Sequence, residues 1–392
     1  MNVPAIIVVT YNRPASLQRL LNSIEKAFYP DTEVSLVISI DFKEDNQRTV
    51  QIADDYQWAF GTKKVVTRDR NLGLKEHILQ CGDLSEKFGS VVILEDDLYV
   101  SPLFYSYACQ ALDFSRAKEA LSGISLYNHQ LHIHARVPFT LIEDGFDNWF
   151  LQFPSSWGQA WTFDQWSSFR NWLNSNDPEK FFDRLPENVS RWSEKSWLKI
   201  FLCYMLDQNK YFLYPKISLS TNFNEAGTHI SASSNKFQVP LLMASKKEFK
   251  FVNLDQSKSI YDSFFENTYT SHFLQPNFPD LEPDLYATKS LSQVKSKYLL
   301  SSAKYPFKIV KSYGLQLRPP EMNIMLENTG NDIYLYDTTI KVDSKFKTNK
   351  VNKILYFLRY IELKDAITIA TNMSLDRLKH RTLKVWRLLI KA

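Results

Sequence analysis

The sequence predicts an α/β protein with a mostly parallel, Rossmann-like sheet flanked by helices. The first hundred residues contain four short apolar runs separated by segments with helical periodicity. The first and last runs are apolar at every position, which is typical of strands buried on both faces. The alternation of strand and helix up to a fourth strand predicts parallel pairing through right-handed crossovers.

The elements can be assigned in order along the chain. A first helix is predicted from Pro14, because proline suits the first helical position and apolar residues recur with helical spacing from Leu17. Weaker signals of the same kind place the other elements. The predicted strands are 5–9, 34–40, 64–67, 90–94, 121–126 and 211–219, and the predicted helices are 14–24, 44–60, 74–81, 102–117 and 196–207.

Two stretches lack a clear period. Residues 128–162 are irregular and crowded with His, Trp and Phe, and a loop of this length in a compact domain is usually functional. Residues 240–350 are rich in Lys, Ser, Asn and Pro and are expected to be irregular. No G-x-G-x-x-G follows the first strand, which disfavours a dinucleotide-binding fold.

Composition and charge narrow the class of protein. The 392 residues are 44% hydrophobic, enough for a sizeable core, and the three scattered cysteines indicate a reducing compartment. No signal peptide or membrane-spanning stretch is visible, so we predict a cytoplasmic protein. The net charge is +4, yet residues 374–392 alone carry six Lys or Arg against one Asp, which argues against a core that binds nucleic acid.

The basic residues of 374–392 are interleaved with Leu, Val, Ile and Trp. This pattern predicts a peripheral helix on the inner face of an anionic membrane. A terminal helix docked on its own domain is the alternative.

Polar side chains follow each of the four predicted parallel strands. The strongest group is the triplet Glu95-Asp96-Asp97, directly after an apolar strand. Neighbouring carboxylates repel each other unless a cation or ligand lies between them, and their oxygens suit Mg²⁺ or Mn²⁺. Because such strands end at one edge of the sheet, we expect a ligand site there. The other groups at this edge are Thr10-Tyr11-Asn12-Arg13-Pro14, Asp41 and Arg68-Asp69-Arg70-Asn71-Leu72-Gly73-Leu74.

This ordered set resembles the nucleotide-sugar half of a GT-A glycosyltransferase, whose acidic DxD-like motif follows the fourth strand. More narrowly, it is similar to the N-acetylglucosaminyltransferase I type and its bacterial, family 2-like relatives. The resemblance covers about residues 3–230. It continues through Ser125-Leu126-Tyr127-Asn128, Pro154-Ser155-Ser156-Trp157-Gly158-Gln159-Ala160-Trp161 and Tyr214-Pro215-Lys216-Ile217-Ser218.

The resemblance implies a catalytic domain followed by an extension. The domain covers 1–240, with a nucleotide-sugar half over 1–100 and an acceptor-side half over 101–240, and the extension covers 241–350 before a basic helical segment over 351–392. The implied reaction is metal-dependent transfer of N-acetylglucosamine or a related hexose from a UDP-sugar to a hydroxyl of a glycan or lipid-linked glycan, with inversion. The expected setting is cell-surface polysaccharide or glycoconjugate synthesis. A sugar-nucleotide nucleotidyltransferase and a non-catalytic protein that binds nucleotide-sugars or glycans stay open as alternatives.

The resemblance also implies how the nucleotide is bound. Asp41 accepts a hydrogen bond from the pyrimidine ring, since a uracil imide N–H needs a fixed acceptor. Arg13 and Arg70 lie near the base or the diphosphate, and Thr10 belongs to the same site. A turn cap is the alternative for Asp41, and a solvated helix start is the alternative for Arg13.

By the same resemblance, the triplet and one histidine serve the ribose, the diphosphate and the cation. Glu95 and Asp96 bind the ribose and metal-bound water, and Asp97 ligates Mn²⁺ or Mg²⁺, which a diphosphate leaving group needs. His229 follows the last predicted strand and either closes over the diphosphate or joins the metal. A plain loop histidine is the alternative for His229.

An inverting transferase needs a carboxylate to take the proton of the acceptor hydroxyl. In the resembling family this group lies in an acidic, Trp-containing segment, which matches residues 191–197, and Glu194 is the carboxylate of that stretch. Capping of the following helix by Ser193-Glu194 is an equal alternative. Asp164 and Asp144 are weaker candidates for the base.

Two sets of ring side chains complete the candidates. His129, His132 and His134 are expected to be solvated or to face the acceptor rather than to bind zinc, because no cysteine is near. Tryptophan rings can stack on the apolar faces of sugars, and four tryptophans are candidates for this role: Trp149, Trp157, Trp161 and Trp166.

Overall fold

The computed structural model describes residues 3–223, 235–343, 350–358 and 362–375. The chain forms two compact units, Met1–Ser344 and Lys345–Ala392. Strands and helices are numbered here in chain order. The strands are β1 (Ala5–Thr10), β2 (Leu36–Ile40), β3 (Lys63–Thr67), β4 (Ser90–Glu95), β5 (Leu98–Val100), β6 (Leu121–Ser125), β7 (Leu131–His132), β8 (Val137–Pro138), β9 (Asn148–Leu151), β10 (Gln159–Thr162), β11 (Tyr211–Pro215), β12 (Ser220–Asn222), β13 (Ile260–Tyr261), β14 (Leu281–Asp284), β15 (Tyr298–Ser301), β16 (Phe307–Tyr313) and β17 (Ile333–Lys341).

Helices cover both faces of the largest sheet that is formed by these strands. They are α1 (Pro14–Glu25), α2 (Gln47–Asp55), α3 (Gly73–Asp83), α4 (Ser85–Phe88), α5 (Phe104–Ser115), α6 (Phe163–Ser175), α7 (Glu187–Ser190), α8 (Trp197–Asp207), α9 (Thr268–Leu274), α10 (Glu321–Met325) and α11 (Lys350–Leu358), with a 3-10 helix over Pro178–Arg184.

Among the described residues, nine strands form the central sheet, in the order β13-β9-β11-β6-β10-β4-β1-β2-β3. The pairs β1–β2, β2–β3 and β1–β4 are parallel, as the sequence predicts. Strand β10 is antiparallel to both β4 and β6, so β6 and its parallel neighbour β11 run in the same direction as β4. The carboxyl ends of β1, β2, β3, β4, β6 and β11 therefore meet at one edge, which we call the ligand edge.

The two faces of the sheet are buried by different helices. Ile6, Val8, Val92 and Leu94 belong to the main apolar cluster, which also includes the buried residues of α1 and α5. The opposite face is covered by α3, α6 and α8: for example, the ring of Trp161 in β10 lies 4.7 Å from that of Trp166 in α6 and 6.0 Å from that of Phe201 in α8. These centroid distances correspond to direct aromatic packing.

The second predicted helix is shorter than expected. It was predicted over 44–60 but spans Gln47–Asp55. The Lys63 ammonium donates to the carbonyl oxygens of Ala53, Asp54 and Tyr56 at 2.6 to 2.8 Å. A lysine that satisfies the last carbonyl groups favours the end of the helix at this point.

The expectation of irregular structure over 128–162 was wrong. This stretch contains β9 and β10, which both join the central sheet. The strands are only four residues long and carry buried polar residues, Asn148 and Gln159, so they show no apolar run. The predicted strand over 211–219 ends earlier, at Pro215.

Residues 241–350 are also more regular than expected. Strands β14, β15, β17 and β16 form a four-stranded sheet, and β13 pairs with β9 in the central sheet. Register shifts at Phe307/Lys308 and Ile309/Lys311 interrupt the alternation of β16, which hid this strand from pattern analysis. The described part of this region, 241–343, therefore belongs to the first compact unit.

The second unit is described over 350–358 and 362–375, with residues 363–375 helical. Several large apolar side chains of this unit are exposed, including Leu363, Ile367 and Met373. The predicted membrane-surface helix over 374–392 lies almost entirely outside the described residues. Across the described ranges, no helix combines the length and the apolar character needed to cross a bilayer.

Candidate active site

The acidic triplet stands at the ligand edge. Glu95 is the last residue of β4, and Asp96 and Asp97 form the turn that leads into β5. The backbone N–H of Asp96 donates to the carbonyl of Val9 at 3.1 Å, which continues the ladder between β4 and β1. Because side chains alternate along a strand, Glu95 lies on the sheet face opposite to Leu94. The three carboxylates therefore lie at the same edge of the sheet but do not point in the same direction.

Two residues from the end of β1 join the triplet. The Thr10 hydroxyl donates to Asp96 Oδ2 at 2.7 Å. Arg13, at the start of α1, places Nη1 3.5 Å from Asp96 Oδ1 and 3.5 Å from Asp97 Oδ2. The structure therefore brings together four of the residues predicted for the site, namely Thr10, Arg13, Asp96 and Asp97.

Burial works against the negative charge of the triplet. It raises the pKa of Glu95 well above the ordinary value, and the charges of Asp97 and Asp96 raise it further. The pKa of Asp96 is raised to about 6 by burial, although the Thr10 hydroxyl and Arg13 oppose the shift. Burial also raises the pKa of Asp97, against the opposing effect of Arg13. The charged triplet is therefore under-compensated and would gain from a further cation.

The residues fit a cation that takes most of its ligands from elsewhere. Over the described ranges, no three His, Cys, Asp or Glu side chains converge as a ready-made metal site. Yet the Asp97 side chain is 22% exposed, and Glu95 Oε1 is buried without a hydrogen-bond partner. Mg²⁺ and Mn²⁺ at phosphate sites commonly use one or two carboxylates together with phosphate oxygens. His229, the other predicted ligand, lies outside the described residues.

Asp41, at the end of β2, is held by backbone groups. Its Oδ1 accepts from the N–H groups of Phe42 and Leu72 at 2.9 and 2.8 Å, and its Oδ2 accepts from Gly73 at 3.0 Å. These bonds fix the turn that starts α3, as the capping alternative predicts. Contact with a pyrimidine ring stays a prediction, and three of the carboxylate's acceptor positions are already used.

The loop after β3 carries two arginines in different settings. Arg70 is exposed, and its predicted contact with the nucleotide stays a prediction. Arg68 instead donates to the Ser39 hydroxyl at 3.3 Å, and that hydroxyl lies 2.8 Å from His77 Nε2. Burial lowers the pKa of His77 to about 4, so its ring is neutral near pH 7. Arg68 is thus the arginine that the fold fixes near the end of β2, which the sequence pattern did not indicate.

Glu194 lies in an exposed turn just before α8. The cap of α8 is Ser196, whose side chain accepts from the Lys199 N–H, so the expectation that Ser193-Glu194 caps this helix was wrong. Because α8 leads through a short turn into the start of β11, its beginning lies toward the ligand edge. Lys199 Nζ, buried at 2% exposure, donates to the carbonyls of Ser190 and Trp192 and so fixes the segment before Glu194.

The weaker candidates for the base are placed unfavourably. Asp164 lies in the first turn of α6. The cap of that helix, Thr162, pairs with Ser90 at the start of β4, so Asp164 lies at the opposite edge of the sheet from the triplet. The Asp144 side chain is buried, accepts from the Ser257 hydroxyl at 2.7 Å and lies 3.6 Å from Lys216 Nζ. This ion pair makes Asp144 a structural residue.

Residues 5–124 match the sequence profile of glycosyl transferase family 2. The match spans β1 to β6 and includes every group at the ends of the four parallel strands. This part of the chain is therefore similar to a glycosyl transferase family 2 domain. The profile covers the nucleotide half, so it does not distinguish the N-acetylglucosaminyltransferase I type from other members. No curated protein matches the chain.

Solved structures similar to this chain include S. aureus TarS 1-349, at 16% identity and a TM-score of 0.37 over 56% of this chain and 60% of that one. The same TarS segment in complex with UDP-GlcNAc has 16% identity and a TM-score of 0.37 over 59% and 61% of the two chains. The mannosyltransferase PcManGT from Pyrobaculum calidifontis, in complex with GDP-Man and Mn2+, has 14% identity and a TM-score of 0.31 over 42% and 46%. The chain thus spans about 60% of the length of TarS 1-349, and TM-scores this low carry no weight in assigning its donor.

Contrary to expectation, the three candidate histidines pack among other side chains and are not solvated. His129 and His132 are buried, and the rings of all three candidates lie 5.1 to 5.2 Å from that of Phe265. His134 is held by Asn188 Oδ1 at 2.6 Å and by the Ser263 carbonyl at 2.9 Å. Burial lowers the pKa of His129 to about 3. These are core histidines, which no local sequence signal distinguished from exposed ones.

Most of the candidate tryptophans also belong to the core. Trp149, Trp161 and Trp166 are at most 1% exposed and cannot stack on a sugar in this state. Trp157 alone among the four candidates is partly exposed, in the turn before β10. Its ring packs against Tyr127 and Phe237 at centroid distances of 4.6 and 4.9 Å.

One residue beside the triplet was not singled out by the sequence. Asn222, the last residue of β12, pairs with Leu98 in β5, and its side chain hydrogen-bonds to Asp97. The backbone N–H of Phe223 donates to the Asp97 carbonyl at 2.9 Å. A short strand 125 residues away in sequence therefore holds the acidic turn, and such a long-range contact leaves no local pattern.

Proposed function

We propose that this protein is a glycosyltransferase that uses a UDP-sugar as its donor. It moves a hexose, with N-acetylglucosamine as the first candidate, to a hydroxyl of a glycan or lipid-linked glycan. The transfer inverts the anomeric carbon and uses Mn²⁺ or Mg²⁺. One observation carries the proposal. Thr10, Arg13, Asp96 and Asp97 converge at the ligand edge, and the pKa values of the two acids are raised there.

The strand order supports a direction for the donor along the ligand edge. Asp41 and Arg70 follow β2 and β3, the triplet follows β4, and β10 and β6 lie beyond it. With the base near Asp41 and Arg70, the ribose lies near Glu95 and Asp96 and the diphosphate near Arg13 and Asp97. The transferred sugar then reaches the start of β10 and the end of β6, on the acceptor side.

In this proposal the cation is held by Asp97, with His229 as a second candidate ligand, and when bound it neutralises charge on the departing UDP. The residues of the chain do the remaining work. Arg13 lies within 3.5 Å of both acids and can turn from them toward the diphosphate. The Thr10 hydroxyl keeps Asp96 oriented while this happens.

Glu194 takes the proton of the acceptor hydroxyl as that oxygen attacks the anomeric carbon. Its exposure allows an acceptor to reach it, and Lys199 fixes the adjoining backbone. The acceptor itself is assigned by chemistry alone as a glycan hydroxyl. We further propose that residues 374–392 hold the enzyme on an anionic membrane surface, which presents lipid-linked acceptors.

Release of UDP from a panel of UDP-sugars, with Mn²⁺ or with EDTA, tests the proposal. We expect turnover with at least one UDP-hexose in Mn²⁺ and none in EDTA. Turnover that is unaffected by EDTA would refute the metal assignment, and activity with GDP-sugars alone would refute the uridine assignment.

A further inference from the structure

Gln159 is buried without the hydrogen bonds that a structural glutamine normally makes. The side chain is 0% exposed, and neither its amide nitrogen nor its amide oxygen has a hydrogen-bond partner. A buried amide without partners costs free energy of folding, and such groups in native proteins are rare outside functional sites. A role of this side chain in binding would explain why the protein retains it despite the cost.

Its position relates this amide to the acidic triplet. Gln159 begins β10 and pairs with Ile93 in β4, so the two side chains lie on the same face of the sheet. Glu95 is two residues beyond Ile93 and therefore shares that face. Glu95 Oε1 is also buried without a partner. Two unsatisfied polar groups thus occur as diagonal neighbours on adjacent strands at the ligand edge.

The same face carries the start of α8. The ring of Trp161, two residues after Gln159, lies 6.4 Å from the ring of Trp197, and Trp197 follows Glu194 by three residues. In the donor direction proposed above, the transferred sugar reaches the start of β10. Gln159 therefore lies between the acids near the diphosphate and the segment that carries the proposed base.

We propose that the Gln159 side chain, next to the acidic triplet, binds the transferred sugar of the donor. The amide offers two donors and one acceptor, which matches a hydroxyl or acetamido group on a pyranose. The inference rests on the proposed function and adds a residue that sets donor preference. Gln159 is fully buried, so donor binding would uncover its amide through side-chain movement, which is common at binding sites.

The test compares stability with sugar recognition. Gln159→Leu removes an unsatisfied amide, so we expect an unchanged or higher melting temperature. For binding, isothermal titration with UDP and with UDP-hexoses in Mn²⁺ gives the gain in affinity due to the sugar. We expect Gln159→Leu to leave the Kd for UDP unchanged and to remove at least about tenfold of that gain.

Gln165 provides a matched control. It is buried at 8% exposure, but its amide donates to the Leu121 carbonyl and accepts from the Thr162 N–H, at the opposite edge of the sheet. Gln165→Leu is expected to lower the melting temperature and to keep the sugar-dependent gain. The inference is overturned if Gln159→Leu lowers the melting temperature while the gain persists. Absence of UDP binding by the unmodified enzyme would instead refute the proposed function.

Discussion

The ends of β2 and β4 both present buried carboxylates, and the two regions differ in how those charges are satisfied. Asp41 at the end of β2 accepts three backbone hydrogen bonds of 2.8 to 3.0 Å. The triplet at the end of β4 has Thr10 and a shared arginine, and the pKa values of all three acids are raised. The difference indicates that Asp41 stabilises the fold, whereas the charged triplet would gain from a further cation.

The largest expected effect is on the triplet. We expect Asp97→Asn to lower kcat by about 1,000-fold, because the proposed cation loses its carboxylate ligand. Burial raises the pKa of Asp97, so removal of the charge should leave the melting temperature unchanged or higher. UDP release and thermal unfolding measure the two quantities. Full activity in this variant would place Asp97 with Asp41 among the structural acids.

Glu194 tests whether the second half of the sheet supplies the base. Glu194→Gln is expected to lower kcat by about 100-fold or more with little change in the KM for the donor. Asp164→Asn is the control, because Asp164 lies at the opposite edge of the sheet. Equal losses in both variants, measured as UDP release with saturating acceptor, would argue against Glu194 as the base.

Asp41 should behave in the opposite way to Asp97. In Asp41→Asn one carboxylate oxygen becomes an amide donor that faces backbone N–H groups, so we expect a loss of about 1–3 kcal/mol of unfolding free energy. Urea unfolding measures this loss, with Asp45→Asn as an exposed control in the same loop. If Asp41→Asn unfolds at the same urea concentration as the unmodified chain, the turn before α3 does not depend on this carboxylate.

Glu321 lies away from the ligand edge, and its buried carboxylate oxygens have no hydrogen-bond partner. Its substitution therefore measures how much stability such a buried acid costs. Burial raises its pKa from 4.5 to about 7. The Glu321 carboxyl group thus binds its proton more tightly in the folded state than in the unfolded state. The stability that results is fully present below pH 4.5 and is lost as the pH rises through 7. The loss amounts to about 3 kcal/mol.

Glu321→Gln should therefore stabilise the protein at pH 8 and change little at pH 4.5. Urea midpoints at the two pH values measure the effect, with the exposed Glu86→Gln as the control. A constant difference between Glu321→Gln and the unmodified chain at both pH values would contradict a protonation effect.

The parallel half of the sheet was predictable because its strands are buried on both faces. Strands β1 and β4 begin where the apolar runs begin, and the edge that carries the triplet follows from their direction. The antiparallel strand β10 was missed because Gln159 and Thr162 interrupt its apolar character. Long-range contacts, such as Asn222 with Asp97 and Trp161 with Trp166, decided which polar and aromatic candidates lie at the site and which lie in the core.

Calorimetric titration of the enzyme with UDP, with and without Mn²⁺, tests the central claim most directly. The account predicts that Mn²⁺ strengthens UDP binding by at least about tenfold in the unmodified enzyme and has no such effect in Asp97→Asn. An equal effect of Mn²⁺ in both proteins would contradict it.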